Sequence, residues 1–134
     1  MTDQMSVPRV VVAVPARLES ARLPGKLLAD IAGKPMLQHV LERCRQAKGV
    51  AAVVVCTDSE QVRSFAEGWG FTVLMTSPDC SSGSERLASV VAELVAAAGG
   101  AASDFDQTLV INVQGDQPLL DPAIIEAMAA EFAQ

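Results

Sequence analysis

The sequence predicts an α/β fold, with a mostly parallel sheet and helices on both of its faces. Short β-branched runs recur along the chain without polar alternation, which is how strands covered on both faces read. Apolar residues at helical spacing stand between them, so strands alternate with helices as in βαβ units with right-handed crossovers. Half of the residues are hydrophobic, yet aromatics make up only 4% and tyrosine is absent. Such a core is built from small aliphatic side chains packed between layers.

Residues 9–15, Arg-Val-Val-Val-Ala-Val-Pro, read as the first and most buried strand. Residues 16–28 have no clear period and contain Pro24-Gly25, so they read as a long loop, and long loops inside compact domains are often functional. Pro35 suits a first helical turn, and Met36, Leu37, Val40, Leu41 and Cys44 follow it at helical spacing. Residues 52–56 are a second strand. Asp58 or Ser59 then caps a helix carrying Val62, Phe65, Ala66 and Trp69. Gly70 ends that helix, and residues 71–75 form a third strand.

Ser82 and Glu85 make an S-x-x-E capping box. Leu87, Val90, Val91, Leu94, Val95 and Ala98 continue one helix from there to Gly99-Gly100. Residues 109–113 are a fourth strand, and Asp121-Pro122 opens a last helix with Ile124, Ile125, Met128 and Phe132 on one face. No internal repeat or low-complexity linker interrupts the pattern. A chain of 134 residues suffices for one domain with one core. It stops just past Phe132, so the sheet is expected to be truncated relative to a complete α/β enzyme.

The net charge is −6, from 16 acidic and 10 basic residues. An acidic chain repels a nucleic-acid backbone over most of its surface, which excludes a general DNA or RNA binder. Basic residues that nevertheless cluster gain significance against that field. Cys44, Cys56 and Cys80 are odd in number and lack C-x-x-C spacing, which argues against a disulfide framework or zinc site and fits a reducing cytoplasm. Residues 1–8 are polar, and the valine run at 10–14 is too short to cross a membrane. The expected protein is cytoplasmic and has no membrane partner.

In open α/β sheets ligands bind beyond the carboxyl ends of the strands, and three polar segments fall there. The loop after the first strand carries Arg17, Arg22 and Lys26. A triphosphate needs cations and backbone N–H donors converging from several directions, which a loop can provide. Exposed cations are usually only solvated; the position of these, after a buried strand in an acidic chain, favours a site. Neither a P-loop nor a G-x-G-x-x-G fingerprint is present. The second segment, residues 81–86, opens a helix, where free N–H groups favour an anion and Gly83 permits close backbone approach. Ser82 and Glu85 cap that helix whether or not a ligand adds to the role. The third segment, residues 112–118, places Asp116 on a glycine-containing turn, either stabilising its own turn or holding Mg²⁺ with phosphate oxygens and water. His39 and Cys80 have no neighbours in sequence that would make them catalytic.

Taken together, the segments resemble the CMP-Kdo synthetase family, 3-deoxy-manno-octulosonate cytidylyltransferase. Residues 15–26 resemble its P-A-R-x-x-S-[ST]-R-L-P-G-K signature, residues 82–86 its S-G-T-E-R helix start, and residues 112–118 its N-V-Q-G-D-E-P turn. Gly33-Lys34-Pro35-Met36 and Cys56-Thr57-Asp58 are similar to two further landmarks. Ala21, Leu27 and Gln117 depart from the pattern, and none of them removes a cation or the candidate metal ligand. The family has roughly another half-chain, resembling a sugar-binding and dimer-forming region that brings a second metal-binding aspartate.

The resemblance implies a nucleotide-diphospho-sugar transferase type of fold, of which residues 1–134 would be the N-terminal, nucleotide-binding part. It implies transfer of CMP from CTP to 3-deoxy-manno-octulosonate (Kdo) for lipopolysaccharide synthesis, with Mg²⁺ as cofactor and a homodimer for the full-length form. By motif matching, Arg17, Arg22 and Lys26 would hold the triphosphate. Asp116 would hold Mg²⁺, and Gln114 would lie close to the nucleotide. Arg86 would add a cation from the helix side, while Pro15, Ala16, Ser82 and Gly83 would help fix base and phosphates. Arg17, Lys26 and Asp116 are the expected catalytic residues. Two other readings stand beside this one. A sialic-acid cytidylyltransferase would share the architecture but usually has a glycine- and lysine-rich first loop without R-L-P-G-K. A non-catalytic nucleotide-binding domain would not need the missing half.

Overall fold

The computed structural model describes residues 9–17, 28–80, 82–99, 108–115 and 120–133, without the side chains of 132 and 133. Its elements run β1 (Arg9–Ala16), β2 (Asp30–Ile31), β3 (Lys34–Pro35), α1 (Met36–Gln46), β4 (Ala52–Thr57), α2 (Glu60–Gly68), β5 (Thr72–Met75), α3 (Gly83–Ala88), α4 (Val91–Ala97), β6 (Thr108–Asn112) and α5 (Pro122–Ala133). Four of the strands form a parallel sheet in the order β5-β4-β1-β6. Val12 of β1 lies opposite Val53 on one side and Ile111 on the other.

The unbroken apolar run of β1 follows from its central position. Val10, Val12, Val14 and Ala16 face one layer, packing with Leu37, Val40 and Leu41 of α1, Val62 and Ala66 of α2, and Ile125 of α5. Val11 and Ala13 face the other layer with Leu87 of α3, Val90, and Leu94 of α4. Residues 11–14 are fully shielded from solvent. A strand covered on both sides has no position for a polar residue, hence the absence of alternation. Leu120 and α5 are fastened to α1 and the turn after it: Arg43 Nη1 donates to Leu120 O (3.0 Å), and the Lys48 N–H donates to Glu126 Oε2 (2.8 Å).

The chain steps outward from β1 to β4 and β5, then crosses back to place β6 on the other side of β1. Strand order therefore reverses between β1 and β6. Open α/β sheets bind ligands outside the carboxyl ends of the strands at such a reversal.

The structure departs from the sequence expectations in three places. Residues 30–35 form a small antiparallel hairpin, β2 with β3, turning through Ala32 (φ 52°) and Gly33 (φ 89°). His39 Nε2 donates to Ile31 O and so ties this hairpin to α1. Second, the helix expected over 82–98 is broken into α3 and α4. Ser89 Oγ donates to Arg86 O (2.7 Å), a local bond that competes with the backbone ladder, and Val90 is non-helical (φ −126°, ψ 26°). The break keeps Leu87, Val90 and Leu94 on the sheet while Val91 turns outward. Third, Phe65, Ile124 and Met128, expected on buried faces, are exposed, whereas Ile125 is buried and Ala129 packs against the core.

Ser59, not Asp58, caps α2, its Oγ accepting the Val62 N–H at 3.2 Å. The left-handed Gly70 (φ 91°) follows the end of α2, and Gly99 (φ 90°) follows α4.

Candidate functional site

The site is built where the reversal lies. The last residues of β1, Pro15 and Ala16, are buried and paired with Cys56 and Thr57 of β4, and Arg17 emerges exposed just beyond them. Across the reversal, the Val113 N–H donates to Ala13 O (3.1 Å), extending the β1–β6 ladder one residue past β6. Gln114 then stands exposed, its Nε2 donating to Asn112 Oδ1 (3.2 Å), and Gly115 is buried.

The third wall is the start of α3. Ser82 Oγ accepts the Glu85 N–H (3.0 Å), the Ser82 half of the expected capping box. Gly83, the first residue of α3, lies directly against β1: a Cβ there would stand 3.0 Å from Pro15 Cγ and 3.9 Å from Gln114 Nε2. Glycine lets this turn approach Pro15 so closely, since a Cβ would crowd the proline ring while meeting Gln114 at ordinary contact distance. Three residues far apart in the chain, Pro15, Gly83 and Gln114, thus meet beside the exposed Arg17.

Arg86 lies one turn further along α3 and has no solvent exposure. Its Nη1 donates to Thr76 Oγ1 and to Ser77 O (3.3 Å), and its Nη2 lies 3.8 Å from Asp58 Oδ2. The cation expected on the helix side is therefore a buried one, held by the segments that follow β4 and β5. Those segments are also bonded to each other, since the Thr76 N–H donates to Thr57 O (2.8 Å). The fully buried Thr57 hydroxyl accepts the Ser59 N–H (3.1 Å). Sequence reasoning passed over Thr76. It stands one residue past the carboxyl end of β5, the position that drew attention to the segments after β1 and β6.

Burial pushes the Cys56 thiol up to about 12, with the Arg86 charge opposing, and burial also pushes Cys44 up to about 12. Neither can supply a thiolate nucleophile near neutral pH. Of the expected site residues, Arg22, Lys26 and Asp116 lie outside the described residues. Among the described residues, no three His, Cys, Asp or Glu side chains group to hold a metal ion, and no helix is long and apolar enough to cross a membrane.

The arrangement is similar to known proteins over nearly its whole length. The family model described as cytidylyltransferase matches residues 11–134. An 8-amino-3,8-dideoxy-manno-octulosonate cytidylyltransferase from Shewanella sp. (strain ANA-3) is 47% identical over 123 residues, covering 92% of this chain and 47% of that protein. The protein of the same description from Shewanella sp. (strain W3-18-1) is 48% identical over the same shares. A solved CMP:2-keto-3-deoxy-manno-octonic acid synthetase complexed with CTP superposes with a TM-score of 0.80 at 39% identity, covering 92% of this chain and 46% of that one. A 4-diphosphocytidyl-2C-methyl-D-erythritol synthase, 16% identical with a TM-score of 0.65, covers 88% of this chain and 51% of its own and shares the fold alone. The chain spans about half the length of the curated relatives it matches.

Proposed function

Because the chain belongs to the cytidylyltransferase family, we propose that its strand-end site takes CTP, as the nucleotide-binding part of an enzyme that transfers CMP to an acidic octulosonate sugar and releases pyrophosphate. The acceptor is 3-deoxy-manno-octulosonate or its 8-amino-3,8-dideoxy analogue, the two sugars in the descriptions of the relatives. The meeting of Pro15, Gly83 and Gln114 at the reversal between β1 and β6 carries this reading.

The backbone around Ala16 and Gly83 and the Gln114 amide fix the nucleoside. Arg17, exposed at the mouth of the site, would hold the triphosphate, and the family signature assigns the same role to Arg22 and Lys26. Transfer consists of attack by the sugar's anomeric hydroxyl on the α-phosphorus with departure of pyrophosphate. The protein's share is to align the reactants and neutralise phosphate charge.

Asp116 is the residue that would hold Mg²⁺. It directly follows the buried Gly115 in the sequence, and one carboxylate with phosphate oxygens and water suits that ion. Bound there, the ion supplies charge neutralisation on the phosphates.

Calorimetric titration with CTP and ATP, with Mg²⁺ and again after chelation, tests the reading. CTP should bind more tightly than ATP and lose affinity when the metal is removed. Equal affinity for the two nucleotides would overturn it.

A further inference from the structure

We propose that Arg86 is a positioning residue for this site rather than a phosphate contact. Its buried guanidinium fastens the ends of β4 and β5 to α3 and so seats Ser82 and Gly83 against Pro15 and Gln114.

Arginine is almost never fully buried unless it is paired, yet Arg86 has no solvent exposure. Its Nη1 is engaged by Thr76 Oγ1 and Ser77 O, and the Asp58 carboxylate, 3.8 Å from Nη2, supplies the opposing charge. Among the described residues, Nε and Nη2 are buried without a hydrogen-bond acceptor. A phosphate could reach the guanidinium only if the residues that shield it from solvent moved apart.

The same contacts run without a gap to the nucleotide cradle. Thr76 is bonded to Thr57, which joins the ends of β4 and β5. Arg86 grips these ends from α3, and the Arg86 N–H donates to Ser82 O (3.0 Å) in the helix's first turn. Gly83, one turn back on α3, meets Pro15 on the neighbouring strand and approaches Gln114. The guanidinium therefore sets where α3 lies across three adjacent strand ends. A placement error at Gly83 would reach everything the cradle holds, whatever its charge.

The consequence for CTP rests on the proposed function, whereas the seating of Gly83 does not, so two measurements are paired. The first follows the Gly83 amide and Gln114 side-chain NMR signals of the ligand-free chain in Arg86→Met, Arg86→Lys and Thr76→Val, with Ala129 on α5 as a distant control. Arg86→Met and Thr76→Val should shift Gly83 and Gln114 but not Ala129, and Arg86→Lys should restore part of the shift. Thr76→Val retains the cation and keeps the question open to test should Arg86→Met fail to fold. Stationary Gly83 and Gln114 signals would overturn the proposal.

The second measurement titrates CTP and uncharged cytidine against the same variants over a range of salt. Both affinities should fall by a common factor of about tenfold, with the salt dependence of CTP binding unchanged. Loss confined to CTP, with a flattened salt dependence, would show that Arg86 touches phosphate and would also overturn the proposal. If the unsubstituted chain binds neither ligand, the proposed function falls, and the NMR shifts still decide the role of Arg86.

Discussion

Gly83→Ala tests the architecture of the cradle most directly. The added Cβ would stand 3.0 Å from Pro15 Cγ and 3.4 Å from Pro15 Cβ, where carbon atoms rest at about 3.5–4.0 Å. The deficit is therefore roughly 0.5 Å. Pro15 cannot yield, because its ring is buried in the central strand and its backbone is in register with Cys56. The α3 terminus must retreat instead. Overpacking of this kind costs about 1–3 kcal/mol, and alanine returns about 0.5–1 kcal/mol of helix propensity. The net loss is about 0–2.5 kcal/mol, each kcal/mol lowering the melting temperature by roughly 3–5 °C for a domain of this length. Binding should suffer more than folding, because the retreat opens the cradle itself, and CTP affinity should fall about tenfold or further. Scanning calorimetry reads the first effect and isothermal titration the second. A variant that melts at or above the parent temperature and binds CTP unchanged would show that the turn is not clamped, and the reasoning would fail.

Arg17→Ala and Lys26→Ala should each weaken CTP binding by about 1.5–3 kcal/mol, the scale of hydrogen bonds to charged groups, with little change in ligand-free melting; the reverse pattern would relocate the site. Cys44 and Cys56 should resist a disulfide reagent at pH 8 in the folded Cys80→Ser chain and react once it is unfolded. Their thiols lie at about 12 when folded against an ordinary 9.0, so the unfolded chain releases protons first. Stability should hold below pH 9 and fall between about 9 and 12, by up to about 1.4 kcal/mol per pH unit for each thiol; urea melts across that range check the slope. Among the described residues β6 pairs only with β1, the depression beside it is lined by Leu109, Val110, Ile111, Asn112, Glu131 and the half-exposed Met128, and Ile124, one turn earlier on α5, is also half-exposed. Such an edge favours self-association. Sedimentation should show association that Ile124→Lys with Met128→Lys reverses without lowering stability by more than about 0.5 kcal/mol.

The central strands were legible because they are buried on both faces, a condition that imposes its signature on each residue separately. Residues 10–14 could not be anything else in an α/β chain, and the run ending at Cys56 repeats the pattern, whereas β5 and β6, which flank these two strands, are only partly covered and were legible from their apolar, β-branched composition. The caps at Ser59 and Ser82 and the stop at Gly70 were legible for a similar reason, since each is a bond or a dihedral within a few residues. The hairpin at 30–35 was not, because Ala32 at positive φ goes against the residue's own preference and is imposed by its surroundings.

Sequence alone determined the four strands of the sheet, the helical segments between them, and that polar residues collect at the strand ends. Tertiary structure decided everything that depends on which strand lies beside which. Helical periodicity placed Ile124, Ile125 and Met128 together, but among the described residues β6 is the outermost strand on this side and of the three only Ile125 is buried. Sequence placed the cationic Arg86 in the first turns of a helix, but only the tertiary structure decided that Asp58, Thr76 and Ser77 surround its guanidinium. Likewise Pro15, Gly83 and Gln114 become neighbours only because the crossover from β5 returns α3 over β1 and sets β6 on its far side. Local preferences act over a few residues and are written in composition and spacing. The partners of a buried charge and the walls of a cradle are set by long-range pairing, which no single stretch of the chain encodes.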